Sequence, residues 1–150
     1  MYKNILVPTD GSEFSDAAIA EAAKLAKQLG SKLVLFFAEP YYYYPIPPLT
    51  SFSGPYSPTE QEKAQKATKG EAEKVLASGA ANVNLAGVTV ERQSTLSNSP
   101  YEAIIEAAKK FQCELIVMGS HGRSGLSGVL LGSETQRVLT HSTIPVLVVR

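Results

Sequence analysis

Glycine and serine crowd the stretch Gly119-Ser120-His121-Gly122-Arg123-Ser124-Gly125-Leu126-Ser127-Gly128-Val129-Leu130-Leu131-Gly132-Ser133. Residues of these types cradle phosphate. Glycines let the backbone come close to a ligand and turn its N–H groups inward. A helix opening at Ser133 adds unpaired amides and the positive end of a dipole. In this reading Gly122 and Gly132 bracket the phosphates and Ser133 supplies a hydroxyl, while Arg123 either meets phosphate or lies in solvent. A second unusual loop, Pro8-Thr9-Asp10-Gly11-Ser12, carries a carboxylate. Because a carboxylate repels phosphate, Asp10 is expected to face the nucleoside and accept hydrogen bonds from sugar hydroxyls or a base amino group. Its alternative role is to cap the helix that follows. Neither His121 nor His141 has Ser-His-Asp or metal-ligand company at a working spacing. His121 is therefore expected to hydrogen-bond within its loop, and His141 to sit at the surface or at a helix end.

The elements that must position these loops are legible from patterning. Ile5-Leu6-Val7, closed by Pro8, reads as a buried strand, followed by a helix that Ser12 or Ser15 caps and Gly30 ends. Leu33 to Phe37 is the second strand, and so short a strand-helix-strand unit forces the two strands parallel. Residues 40–58 break the rhythm with prolines and four consecutive tyrosines; an irregular surface excursion is expected there. A helical stripe follows over 59–79, weakened at Gly70, then an alternating edge strand over Val88 to Leu96. Asn98 or Ser99 caps the next helix with Pro100 in its first turn. Leu115-Ile116-Val117-Met118 is a fully apolar, central strand. A helix of about ten residues starts at Ser133, and Val146 to Val149 is the last strand. The expectation is a single α/β domain over 1–150, a three-layer sandwich with a five-stranded parallel sheet in the flavodoxin-like order 3-2-1-4-5. In such a sheet ligands bind outside the carboxyl ends of the strands where the winding reverses, which here means the loops after the first and fourth strands. These are the two unusual loops.

Composition narrows the partners. A chain of 150 residues fits one domain, and its 44% hydrophobic and 19% charged content is ordinary for a globular protein. Fourteen basic residues match fourteen acidic ones, so no basic field recommends nucleic acid or an anionic membrane. No apolar run approaches a membrane span, and the N-terminal residues reach a turn too soon for a secretory signal. The lone cysteine, Cys113, excludes an internal disulfide framework and is expected to be packed beside a buried strand. A cytoplasmic location is expected. The usual glycine fingerprint after the first strand and the Gly-x-x-x-x-Gly-Lys-Ser/Thr loop are both missing, so the phosphates must bind at the less usual place, after the fourth strand.

Gly119-x2-Gly122-x9-Gly132-Ser133, preceded by Leu-Ile-Val-Met and followed by a terminal Pro-Val-Leu-Val-Val, closely resembles the ATP-binding branch of the universal stress protein family. Ile5-Leu6-Val7-Pro8-Thr9-Asp10-Gly11-Ser12 resembles that family's opening motif. The resemblance implies an adenine pocket near Asp10 and the backbone of Phe37, with ribose near Pro8 and Gly119. It implies phosphate contacts from Gly122, Gly132, Ser133 and the amide of Glu134, with Mg²⁺ or Mn²⁺ on the phosphates. Thr9, Met118 and Arg123 complete the expected binding set. Many relatives carry valine where this chain has Glu134, and a carboxylate there is unfavourable unless it points outward or meets the metal. The expected function is ATP-dependent regulation in a stress response. Rival readings are a slow Mg-dependent ATPase or nucleotidyl-transfer enzyme, and a partner-binding module. No general base or arginine finger is evident, so no catalytic residue is assigned. The apolar last strand lies at a sheet edge and invites pairing with its own copy, so a homodimer through residues 145–149 is expected.

Overall fold

The computed structural model describes residues 1–40, 58–121 and 131–150, with the backbone alone over 58–69. Most of the tyrosine- and proline-rich excursion thus lies outside the described residues. The elements run β1 (Asn4–Pro8), α1 (Glu13–Leu29), β2 (Lys32–Glu39), α2 (Pro58–Ala81), β3 (Thr89–Leu96), α3 (Pro100–Lys110), β4 (Leu115–Gly119), α4 (Ser133–His141) and β5 (Val146–Val149). The sheet order is β3-β2-β1-β4-β5, with every neighbouring pair parallel. This is the parallel sheet and the order expected from the sequence.

Alternation along the strands divides the core between the two faces. Ile5, Val7, Leu33, Leu35, Phe37, Leu115 and Val117 pack with α1 and α2. Their neighbours Leu6, Val34, Phe36, Ile116 and Met118 pack with α3 and with Val138 of α4. Strands buried on both faces explain the continuous apolar runs in the sequence. α1 lays down Ala18, Ile19, Ala22, Ala23 and Ala26 as its buried stripe. Ser12 is its N-cap, taking the Ser15 N–H on its hydroxyl at 3.3 Å. Ser15 lies inside the first turn instead, its own hydroxyl donating back to the Ser12 carbonyl at 2.8 Å. Gly30 ends the helix in the left-handed conformation, φ 66°.

α2 sits very close to α1. A Cβ added at Gly79 would lie 2.9 Å from Cδ1 of the buried Ile19, so only a glycine fits without displacement. The two sheet edges differ in character. β3 is polar and carries Lys32–Glu91 and Arg92–Glu73 ion pairs at its flank. β5 is apolar and incompletely covered, with Leu147 38% exposed.

Candidate functional site

β1 is central, with β2 on one side and β4 on the other, so the winding direction reverses between β1 and β4. Their carboxyl ends deliver the two loops singled out from the sequence to one place. Thr9 donates the last ladder bond, to the Phe36 carbonyl at 2.8 Å, before the chain leaves the sheet. Asp10 Oδ1 then accepts the Ser12 N–H at 3.0 Å, a turn that sets up the N-cap of α1. Thr9 is buried; its Oγ1 lies 3.1 Å from Ser15 Oγ and accepts the Gly11 N–H at 3.3 Å. The Thr9 hydroxyl thus braces the β1–α1 turn from inside. Pro8 pairs with Phe36 at the rim of the sheet. Phe37 and Met118 both put their side chains into the core, on opposite faces. What these two positions can offer a ligand is therefore backbone.

Gly119 shows how closely the two loops meet. A Cβ there would stand 2.7 Å from the Phe14 carbonyl oxygen, in the first turn of α1. The glycine is required by the packing of α1 on the end of β4, a reason the loop composition alone did not disclose. Phe14 also rests against the His121 ring, centroids 5.3 Å apart, and the Ser120 hydroxyl lies 3.0 Å from His121 Nδ1. This agrees with the expectation that His121 hydrogen-bonds within its loop.

The β4–α4 loop leaves and returns at one point. The Gly132 N–H donates to the Ser120 carbonyl at 2.8 Å. The buried Thr135 hydroxyl donates to the Gly119 carbonyl, also at 2.8 Å. Gly122 and Arg123, with the rest of 122–130, lie outside the described residues. α4 begins at Ser133 with Gly132 as its N-cap (φ −59°, ψ 145°), a residue with no side chain to cap the first turn. The amides of that turn carry partial positive charge beside an exposed serine. Such an end suits an anion better than any neutral group.

Glu134 settles differently from a simple charge in the site. Its Oε2 accepts the Tyr101 backbone N–H at 2.9 Å, and its Oε1 meets Arg137 at 3.2 Å. Tyr101 is the second residue of α3, so this carboxylate turns toward α3. Sequence reasoning missed this partnership and that of Thr135. Both join residues brought together by the fold, across 33 and 16 positions, and neither leaves a local pattern. Among the described residues no group of three His, Cys, Asp or Glu side chains gathers as metal ligands, and no helix is long and apolar enough to cross a membrane.

Comparison with known proteins agrees with this architecture. A model of the universal stress protein family matches residues 1–150. A universal stress protein of Thermus aquaticus is 36% identical over 150 residues, with 100% of both chains covered. The structure of protein MJ0577 of Methanocaldococcus jannaschii superposes with a TM-score of 0.75 at 28% identity, over 99% of this chain and 96% of that one. A universal stress protein solved in complex with cAMP gives a TM-score of 0.68 at 26% identity, over 99% and 97% of the two chains.

Proposed function

Because the chain belongs to the universal stress protein family, we propose that it is a regulatory protein that binds ATP, or another adenine nucleotide, across the β1–β4 junction. The observation that carries this reading is that the first turn of α1 and the start of α4 both pack on the end of β4, at the point where the sheet reverses. The phosphates lie at the α4 N-terminus, against the amides of Ser133 and Glu134 and the Ser133 hydroxyl. Gly122, Gly132 and Arg123 complete the cradle. Ribose lies by Pro8 and Gly119, and the base by Asp10 and the Phe37 backbone. Mg²⁺ or Mn²⁺ travels on the phosphates, which requires no cluster of protein ligands. A relative of 26% identity holds cAMP, which supports an adenine nucleotide as the ligand class. The protein works in the cytoplasm as a stress-response component whose nucleotide state alters its contacts.

The protein also forms a homodimer in which β5 pairs antiparallel with its own copy. Leu147 and its half-buried neighbours supply the apolar seam. Calorimetric titration of ligand-stripped protein with ATP and Mg²⁺ tests the binding reading. Saturable heat with about one site per chain is expected, together with a rise in melting temperature. No heat and no melting shift at millimolar ATP would end it.

A further inference from the structure

Two sets of residues on α4 differ in their surroundings. Ser133 is exposed at its start, while Glu134, Arg137 and His141 form one stripe along the helix that clasps Tyr101 of α3. Glu134 Oε2 takes the Tyr101 N–H at 2.9 Å. The Arg137 guanidinium lies 5.6 Å from the Tyr101 ring centroid, and the His141 ring lies 5.1 Å from it. Spacings of three and four along a helix place these side chains above one another. Arg137 closes the set with its ion pair to Glu134.

The clasp also does a task that the start of α3 leaves undone. Ser99 occupies the N-cap of α3 but makes no side-chain cap bond; instead its N–H and carbonyl are both engaged by Ser97 Oγ. Glu134 supplies the missing acceptor from another helix, and as a carboxylate it also answers the positive end of the α3 dipole.

We infer that Glu134 is a positioning residue for nucleotide phosphate: by capping α3 it fixes the orientation of α4, aims the Ser133 and Glu134 amides at the ligand and keeps its own charge away from it. The inference rests on the nucleotide-binding reading above. The two alternatives for Glu134 make opposite demands. A carboxylate facing the phosphates repels them, so removing its charge strengthens ATP binding. A carboxylate holding α3 is worth keeping, and an amide oxygen replaces it in part.

The test is titration of the parent, Glu134→Gln and Glu134→Ala with ATP·Mg²⁺ and, separately, with adenosine. Glu134→Ala is expected to lose about fivefold in ATP affinity, the scale of a lost helix cap, with adenosine affinity unchanged. Glu134→Gln, which can still accept the Tyr101 N–H, recovers most of the loss. Amide exchange at Tyr101 reports the cap independently of any ligand and is expected to quicken in Glu134→Ala alone. Tighter ATP binding by Glu134→Gln, or unchanged ATP binding and Tyr101 exchange in Glu134→Ala, overturns the inference while leaving the nucleotide reading intact. A parent that binds neither ATP nor adenosine defeats the nucleotide reading, and with it the role in phosphate binding.

Discussion

Gly132 separates what the fold needs from what a ligand needs. Its φ of −59° and ψ of 145° are open to any residue, so backbone freedom does not explain a glycine there. An aspartate at an N-cap would satisfy first-turn amides of α4 and match the dipole. Gly132→Asp is therefore expected to melt no lower than the parent, with a gain of about a few tenths of a kcal/mol. The same carboxylate would stand where phosphate is proposed, so ATP binding should weaken by about tenfold or more. Thermal melts and titration of the one variant check both halves; ATP bound as tightly as by the parent would refute the placement of phosphate. Cys113 gives a residue-scale contrast. Burial pushes its thiol up to about 11 from 9.0. Between those values the unfolded chain releases a proton that the folded chain keeps, so this group's contribution to stability is present below pH 9 and falls as pH rises toward 11. Iodoacetamide at about pH 8, below the ordinary thiol range, is expected to spare the native protein and alkylate it in urea, as mass measurement of the intact chain would show. The packed thiol was legible from one residue beside an apolar strand. The reason for Gly119 was not, because the atom that crowds it belongs to Phe14, far away in the chain.

Strands and helices were legible because their signals are local. β4 reads as central since Leu115-Ile116-Val117-Met118 is apolar throughout, and the whole strand is buried; α1 reads as a helix since its alanines and Ile19 recur at helical spacing. Caps proved less legible. Ser12 and Ser15 look alike in sequence, and the choice falls on Ser12 because Ser15 is needed inside, against Thr9. α3 shows the same limit more strongly, since Glu134 reaches its first turn from another helix. The α1–α2 contact adds a further case. Helix propensity marks Gly70 as the weak point of α2, yet a methyl group added at Gly70 would meet nothing within 4 Å. Gly79 is the position that matters, where a side chain would meet Ile19 at 2.9 Å and approach Thr9 Oγ1 at 3.6 Å. Gly79→Val is expected to destabilise the protein by about 1–3 kcal/mol through overpacking, whereas Gly70→Ala should stabilise α2 by about 1 kcal/mol or less. Urea denaturation of the two variants gives the comparison, and equal or reversed effects would contradict the close packing of α2 on α1.

At the scale of the whole molecule, strand-helix alternation makes the sheet parallel, and the order β3-β2-β1-β4-β5 decides which loops become neighbours. The β1 and β4 loops are separated by most of the chain, yet they meet because β1 and β4 pair side by side. The same order leaves β5 at an edge. A homodimer through that edge should sediment as a single two-chain species at micromolar concentration, and Val148→Lys should shift it toward monomer. A parent that sediments as a monomer with and without ATP would rule the interface out. The central claim is that an adenine nucleotide lies across the β1–β4 junction with its base beside Asp10. Photolabelling of ligand-stripped protein with 8-azido-ATP and Mg²⁺, followed by peptide mapping, tests place and binding together. The expected result is labelling of the Pro8–Ser12 turn or the end of β2 at Phe37–Glu39, suppressed by excess ATP. Labelling confined to other elements, or insensitive to ATP, would contradict it.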